Sequence, residues 1–116
     1  MQITRFSNAA RYDAPKHFDM RCLRLQGFEV SASRFAWIGV SHFLPQGGAE
    51  MDAGPLEKIY VVLAGEVTVE LADGTAHVLR LMDSCHIPGG EARAVRNASN
   101  QVATMLVIMP HPGERP

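Results

Sequence analysis

Hydrophobic and polar positions follow their clearest pattern in the segment from Leu56 to Leu71, near the centre of the chain. Apolar residues dominate Ile59 to Leu63, Ala64-Gly65 interrupts them, and an alternation with a period of two resumes from Val67 to Leu71. β-Branched runs broken by a glycine predict two strands that meet at a corner. Asp73-Gly74 follows at once, and this dipeptide favours the tight turn of a β-hairpin. The centre of the chain is therefore predicted to be antiparallel β-structure.

Short apolar stretches between glycine and proline turns continue this pattern on both sides of the centre. They predict strands over Met20 to Leu25, Phe28 to Ser33, Phe35 to Leu44, Ala76 to Leu81, Cys85 to Ile87, Ala92 to Val95 and Gln101 to Met109. Pro45-Gln46-Gly47-Gly48 is predicted to be a turn. Because no helical periodicity extends over ten residues, the pattern predicts an all-β sandwich or barrel. We expect an N-terminal arm in residues 1–18, the barrel in residues 19–110 and a C-terminal tail in residues 111–116.

Composition and charge narrow the class of protein. The chain has 116 residues, of which 47% are hydrophobic and 20% charged, as is typical of one globular domain. Its formal net charge of -1 gives no basic face for nucleic acid or for an anionic membrane surface. The chain has no apolar run long enough to span a bilayer, and its start lacks the apolar core of a secretion signal, so a cytoplasmic location is expected. Cys22 and Cys85 show no CxxC spacing and are predicted to be free thiols.

Two segments resemble the paired motifs of the cupin family, whose members fold as double-stranded β-helix (jelly-roll) barrels. The first, PQGGAEMDAGPLEKIYVVLAGEV, contains the proline-glycine turn and, at Gly65, the last glycine of the motif. The second, DSCHIPGGEARAVRN, matches the family pattern at Asp83, Pro88, Gly90 and Asn97. The resemblance covers roughly residues 31–110, and it implies an all-β jelly-roll cupin barrel that forms a homodimer.

The same resemblance implies a divalent metal ion held by three histidines and a carboxylate or a fourth histidine, and here the chain departs from the family. The carboxylate position falls on Lys58, and the histidine position of the second motif falls on Arg93. The two histidine positions of the first motif fall on Asp52 and Gly54, or on Met51 and Ala53, depending on one residue of loop length. Charged lysine and arginine side chains have no lone pair for a metal ion. No metal or other cofactor is therefore expected.

Lys58 and Tyr60 share one face of their predicted strand, because side chains alternate with a period of two. The resemblance implies that this face and Arg93 point into the barrel. Two cations and a phenol in an apolar cavity would suit a small organic anion such as a carboxylate or an enolate. The alternative is that both cations form ordinary ion pairs at the rim, Lys58 with Glu50, Asp52 or Glu57, and Arg93 with Glu91.

Other candidate site residues lie outside these two strands. His42 precedes the first motif and His86 precedes the Pro-Gly-Gly turn of the second, so both are candidates to line the cavity, as is Trp37 in its core strand. If a metal is present, a non-standard site would lie near His42, Asp52 and His86. The remaining histidines fall in the arm, a hairpin and the tail and are given no role: His17, His77 and His111.

Three functions are compatible with these residues. The first is a metal-independent barrel that binds a small organic anion through Arg93, His42, His86, Asp52 and Trp37. The second is a small-molecule isomerase, epimerase or lyase in which Tyr60 and Lys58, or a histidine, act as acid and base, because the family includes metal-free sugar epimerases with a tyrosine acid and a histidine base. The third is a metal-dependent enzyme with the non-standard site.

Overall fold

The computed structural model describes residues 1–113, which are mostly β-strand. Within these residues a short 3₁₀ turn, Phe6–Asn8, precedes the strands. The strands are β1 (Ala10–Tyr12), β2 (His17–Gln26), β3 (Ala36–Asp52), β4 (Lys58–Ala64), β5 (Val67–Leu71), β6 (Ala76–Leu79), β7 (Ser84–Ile87), β8 (Arg93–Arg96) and β9 (Ala103–Pro110). Across the same residues we find no helix of the length and hydropathy that a membrane crossing requires. The predicted tail lies partly outside the described residues.

The strands form one sheet that curls into a nearly closed barrel, with the order β6-β5-β8-β3-β9-β4-β7. β3 has 17 residues and belongs to both walls of the barrel. Its first half, Ala36 to Phe43, pairs with β9, whereas its end, Gly48 to Asp52, pairs with β8. β2 also pairs with β3, and β1 pairs with β2. The predicted all-β jelly-roll barrel is thus confirmed.

The proline-glycine segment in the middle of β3 is a bend within the strand, so the predicted turn at Pro45-Gln46-Gly47-Gly48 is wrong. Gln46 has a φ of 70°, which turns the chain from one wall toward the other. A Cβ on Gly48 would meet the Val95 carbonyl oxygen at 1.9 Å, so only glycine allows β8 to approach this closely. The glycines therefore let one long strand serve two walls.

The strand predicted over Phe28 to Ser33 is also wrong, because this segment forms a turn followed by irregular chain. Phe28 has a φ of 48°, and the Val30 amide donates a hydrogen bond to the Gly27 carbonyl. The Phe28 ring packs on Trp37 and on His111, with ring centroids 5.8 and 4.7 Å apart. Aromatic packing, rather than strand pairing, explains the apolar character of this segment.

The core lies between the two walls and follows the alternation predicted for the central strands. On β4 the side chains of Lys58, Tyr60 and Val62 are buried, and on β5 those of Val67 and Val69. The buried apolar cluster also draws on β3, β7, β8 and β9, through Phe43, Ala49, Ile87, Val95, Ala103 and Met105. Both cysteines are free thiols, as predicted.

Asn97 ties the bend of β3 to the loop between β8 and β9. It is fully buried, and its Nδ2 donates to the carbonyl oxygens of Phe43, Leu44 and Gln101 at 3.1, 3.3 and 2.6 Å. Its Oδ1 accepts hydrogen bonds from the Ser99 amide at 3.0 Å and the Ser99 hydroxyl at 2.7 Å. A buried amide with all its hydrogen-bonding groups satisfied fixes local geometry.

Replacing Asn97 with alanine should therefore destabilise the barrel by about 3 kcal/mol, because the buried Phe43 carbonyl and two partly buried carbonyls would lose a donor. Urea denaturation measures this loss. The matched control is Asn100→Ala, since Asn100 is exposed in the same loop, and its effect should stay within about 0.5 kcal/mol. Equal effects of the two substitutions would contradict the role given to Asn97.

Candidate functional site

A cavity of about 430 Å³ opens inside the barrel, among residues of β2, β3, β4, β8 and β9. Much of its lining is apolar and includes the buried side chains of Phe43, Val95 and Met105. Three lysine and arginine side chains, Arg24, Lys58 and Arg93, also line it, and Lys58 and Arg93 are the buried ones. The volume falls in the range of small-molecule binding sites, about 300–1,000 Å³.

Lys58 begins β4, and its side chain points into this cavity. The residue is only 6% exposed, and within residues 1–113 its ammonium group has neither a hydrogen-bond partner nor a carboxylate at ion-pair distance. Burial lowers the pKa of Lys58 from 10.5, the positive charge of Arg93 lowers it further, and Asp52 opposes them. The cavity therefore favours the neutral amine more than water does.

Arg93 begins β8 on the opposite wall and is 7% exposed. Its Nε donates a hydrogen bond to the Tyr60 hydroxyl at 2.8 Å, and its Nη1 donates to the Glu50 carbonyl at 3.3 Å. In the part of the chain that the structure describes, no carboxylate forms an ion pair with it. The guanidinium has five N–H donors, so donors remain for a ligand.

Tyr60 shares the buried face of β4 with Lys58 and is 3% exposed. Burial raises the pKa of its phenol, while the charge of Arg93 and the hydrogen bond from Arg93 act in the opposite direction. The phenol is therefore protonated at neutral pH. Its oxygen accepts from Arg93, which leaves its own O–H free to act as a donor.

Asp52 lies at the rim of the cavity, where its carboxylate forms an ion pair with Lys16 at 3.1 Å. The Lys16 ammonium lowers the pKa of Asp52, chiefly through this hydrogen bond. Glu57 is held in a similar way by His86, at 2.8 Å. The rim ion pairs considered for Lys58 and Arg93 therefore do not form among the described residues.

The two candidate histidines lie away from the cavity lining. His42 contacts Thr104 Oγ1 through its Nδ1 at 3.2 Å and packs on Phe6, and His86 is an exposed side chain beside Glu57. Trp37, in contrast, does line the cavity. The structure brings Lys58, Tyr60, Arg93, Trp37 and Asp52 to one cavity, but it leaves His42 and His86 outside.

Residues of the N-terminal arm and of β2 complete the lining, although none of them was predicted as a site residue. They include Tyr12, Asp13, His17, Cys22 and Arg24. The His17 Nδ1 lies 2.6 Å from the Pro15 carbonyl oxygen, and burial lowers its pKa. Because the carbonyl can only accept, Nδ1 carries the proton and Nε2 is the acceptor. The alternation of Met20, Cys22 and Arg24 along β2 was the available signal for part of this set.

The metal ion implied by the cupin resemblance does not fit these residues. Lys58 and Arg93 occupy two of the four expected ligand positions, and both are cations with no free lone pair in their charged forms. Within residues 1–113 no three side chains of His, Cys, Asp or Glu are grouped to hold a metal ion. His42, Asp52 and His86 are therefore not brought together as a non-standard site.

Comparison with known proteins places this geometry in a family. The model of the cupin domain matches residues 39–109. A Mycobacterium tuberculosis protein named beta-D-galactosidase is 41% identical over 112 residues, which are 97% of this chain and 96% of that protein.

Solved structures with the same fold are more distant in sequence. The polyketide cyclase RemF of Streptomyces resistomycificus superposes with a TM-score of 0.84 at 18% identity, over 95% of this chain and 79% of its own. An RmlC-like cupin of Shewanella frigidimarina superposes with a TM-score of 0.77 at 16% identity, over 97% of this chain and 92% of its own. At these identities the structural likeness shows the fold alone.

Replacing Lys58 with methionine should stabilise the protein by about 1 kcal/mol at pH 7, because an unpaired buried ammonium is removed. The pKa of Lys58 is lower in the folded than in the unfolded chain, so its penalty is complete below the folded pKa. The penalty is relieved as the pH rises from that value toward 10.5. The advantage of the variant should therefore shrink over this interval.

Urea denaturation of both proteins between pH 7 and pH 10 measures this effect. The matched control is Lys16→Met, which removes an exposed ion pair and should change stability by less than about 1 kcal/mol. A Lys58→Met variant less stable than the natural protein at pH 7 would show that the ammonium is well compensated.

Proposed function

This chain belongs to the cupin domain family, and from that premise we propose that its barrel cavity binds a small organic anion directly on protein side chains, without a metal ion. The observation that carries the proposal is the pair of buried cations, Lys58 and Arg93, which line one cavity without a carboxylate partner among residues 1–113. A buried charge without a counter-ion destabilises the folded state, so such groups point to a functional site.

The chemistry of the cavity favours a carboxylate or an enolate as the anion. The planar guanidinium of Arg93 matches a carboxylate in a two-point hydrogen bond, and it is held in place by Tyr60 and by the Glu50 carbonyl. The ammonium of Lys58 supplies a second positive charge. The apolar lining from Phe43 and Met105 suits the carbon skeleton of the ligand.

We expect small carboxylates such as propionate and pyruvate to raise the melting temperature of the purified protein in the presence of a chelator. A ligand that binds only the folded state stabilises it by mass action. Arg93→Gln should weaken binding about 100-fold, because a charge-assisted two-point contact is lost. Thermal shift over a concentration series and titration calorimetry give the affinities.

The matched control for this experiment is Arg96→Gln. Arg96 lies on the same strand as Arg93 but is exposed, so its loss should leave the affinity within about twofold. Binding that appears only when a divalent metal ion is added would refute the proposed metal-independent site.

A second candidate function is hydrolysis of a β-galactoside, favoured by the relative that carries this activity in its name and matches along almost its whole length. The cavity offers a protonated phenol at Tyr60, an amine with a lowered pKa at Lys58, and an ionised carboxylate at Asp52. Most glycoside hydrolases use a pair of carboxyl groups, and Asp13 is the second carboxylate of this cavity. The same acid and base would also serve an isomerase, epimerase or lyase.

If the protein is such an enzyme, it should release nitrophenol from a nitrophenyl β-galactoside faster than from the matching α-galactoside. Tyr60→Phe should lower that rate by about 100-fold or more, because a general acid is removed while the ring remains. Tyr12→Phe is the control, since it removes the other phenol that lines the cavity. A rate unchanged by Tyr60→Phe would eliminate Tyr60 as the acid.

A further inference from the structure

The chain contains two lysines, and their environments differ sharply. The Lys16 ammonium is at the surface, with 53% of its side chain exposed, and it is paired with Asp52. Lys58 is 6% exposed, lines the cavity and has no partner among the described residues. Burial is not required of a lysine that only attracts an anion. An arginine would supply the same buried positive charge at a lower desolvation cost.

A lysine becomes a nucleophile when its amine is neutral, and two conditions promote that state. One is removal from water, and the other is a neighbouring cation that disfavours a second positive charge. Lys58 meets both conditions, because it is buried in a largely apolar cavity whose other buried cation is Arg93. Lys16 meets neither of them.

We propose that Lys58 forms an imine with the carbonyl group of a small oxo acid whose carboxylate is bound by Arg93. The proposal rests on the proposed function, since it uses the same anion site and assigns the substrate class to it. Arg93 would anchor the acid group of the ligand, and the adjacent carbonyl carbon would then face the amine of β4. The ligand class is a 2-oxo or 3-oxo carboxylate.

The proposed step is a condensation in which nothing is oxidised or reduced. The lone pair of Lys58 Nζ attacks the carbonyl carbon, a C–N bond forms, and the carbonyl π pair moves to the oxygen. Nitrogen loses a proton and the oxygen gains one, giving a carbinolamine. The C–O bond then breaks, the oxygen leaves as water after receiving a second proton, and the nitrogen loses its remaining proton to give the imine.

Tyr60 is placed to move protons in this step. It lies two residues from Lys58 on the same face of β4, and its hydroxyl oxygen already accepts a hydrogen bond from Arg93. Its O–H is therefore directed away from Arg93 and can protonate the departing oxygen. The phenol recovers its proton from the nitrogen of the adduct, so it is unchanged at the end of the step.

Reductive trapping tests the proposal on the natural protein. The protein is incubated with pyruvate and sodium cyanoborohydride at neutral pH, and the reduced adduct is located by intact mass and by peptide mapping. We expect one adduct, on Lys58, and at least tenfold less on Lys16 and on the N-terminal amine. Propionate has the carboxylate but no carbonyl, so it should give no adduct and should slow the labelling by pyruvate.

Two variants sharpen the result. Lys58→Arg retains the positive charge but cannot form an imine, so it should show no labelling at that position. Lys16→Arg should be labelled like the natural protein. If Lys58→Arg fails to fold, the peptide map of the natural protein still shows which lysine carries the adduct, because Lys16 and Lys58 lie in different proteolytic peptides.

The outcomes separate this inference from the anion site on which it rests. Stabilisation by propionate together with no adduct on Lys58 at saturating pyruvate would overturn the imine and leave the anion site intact. Labelling of Lys58 by a neutral aldehyde as fast as by pyruvate would keep the nucleophilic amine but remove the oxo acid as its substrate. Equal labelling of Lys16 and Lys58 would overturn the proposal altogether.

Discussion

The hydrogen bond from Arg93 to Tyr60 joins the two walls of the barrel inside its interior. Arg93 belongs to β8 and Tyr60 to β4, and these strands lie on opposite sides of the bend in β3. A buried guanidinium loses its contacts with water, and polar contacts within the protein offset part of that free-energy cost. Tyr60 and the Glu50 carbonyl provide two of them without cancelling its charge. The barrel thereby keeps a positive group in its core and holds it in one orientation.

Lys58 and Arg93 are cations at two positions where the cupin resemblance implies a carboxylate and a histidine that bind a metal ion. A metal site places neutral or negative ligands around a cation, and the metal itself attracts the anionic substrate. Here Lys58 and Arg93 carry the positive charge on the protein itself. In the proposed function the anion is therefore attracted without a metal ion, and the proposed imine uses a buried lysine as a nucleophile that a metal site would lack. Under these proposals, two side chains would give the same barrel fold a different chemistry.

The sequence predicted the barrel and the core of its candidate site because both depend on local patterns. Alternation along β4 put Lys58 and Tyr60 on one face, and the motif resemblance added Arg93. The sequence did not reveal that residues of the first 18 line the cavity, because this depends on pairings such as His17 with Ala49, which are distant in the chain. Likewise, the apolar residues from Phe28 onward resemble a strand in sequence, yet Phe28 lies in a turn and its ring packs on Trp37.

The surface ion pair between Lys16 and Asp52 lies at the rim of the cavity, close to the candidate site. Exposed pairs of this kind contribute little to stability. Asp52 is, however, a carboxylate that lines the cavity, and its negative charge raises the pKa of Lys58. Because Lys16 engages this carboxylate from outside, Asp52 is not available as a full partner for the amine. The segment that precedes β2 therefore helps to keep the buried amine of β4 without a counter-ion, and the lack of a counter-ion favours the neutral amine that the proposed imine needs.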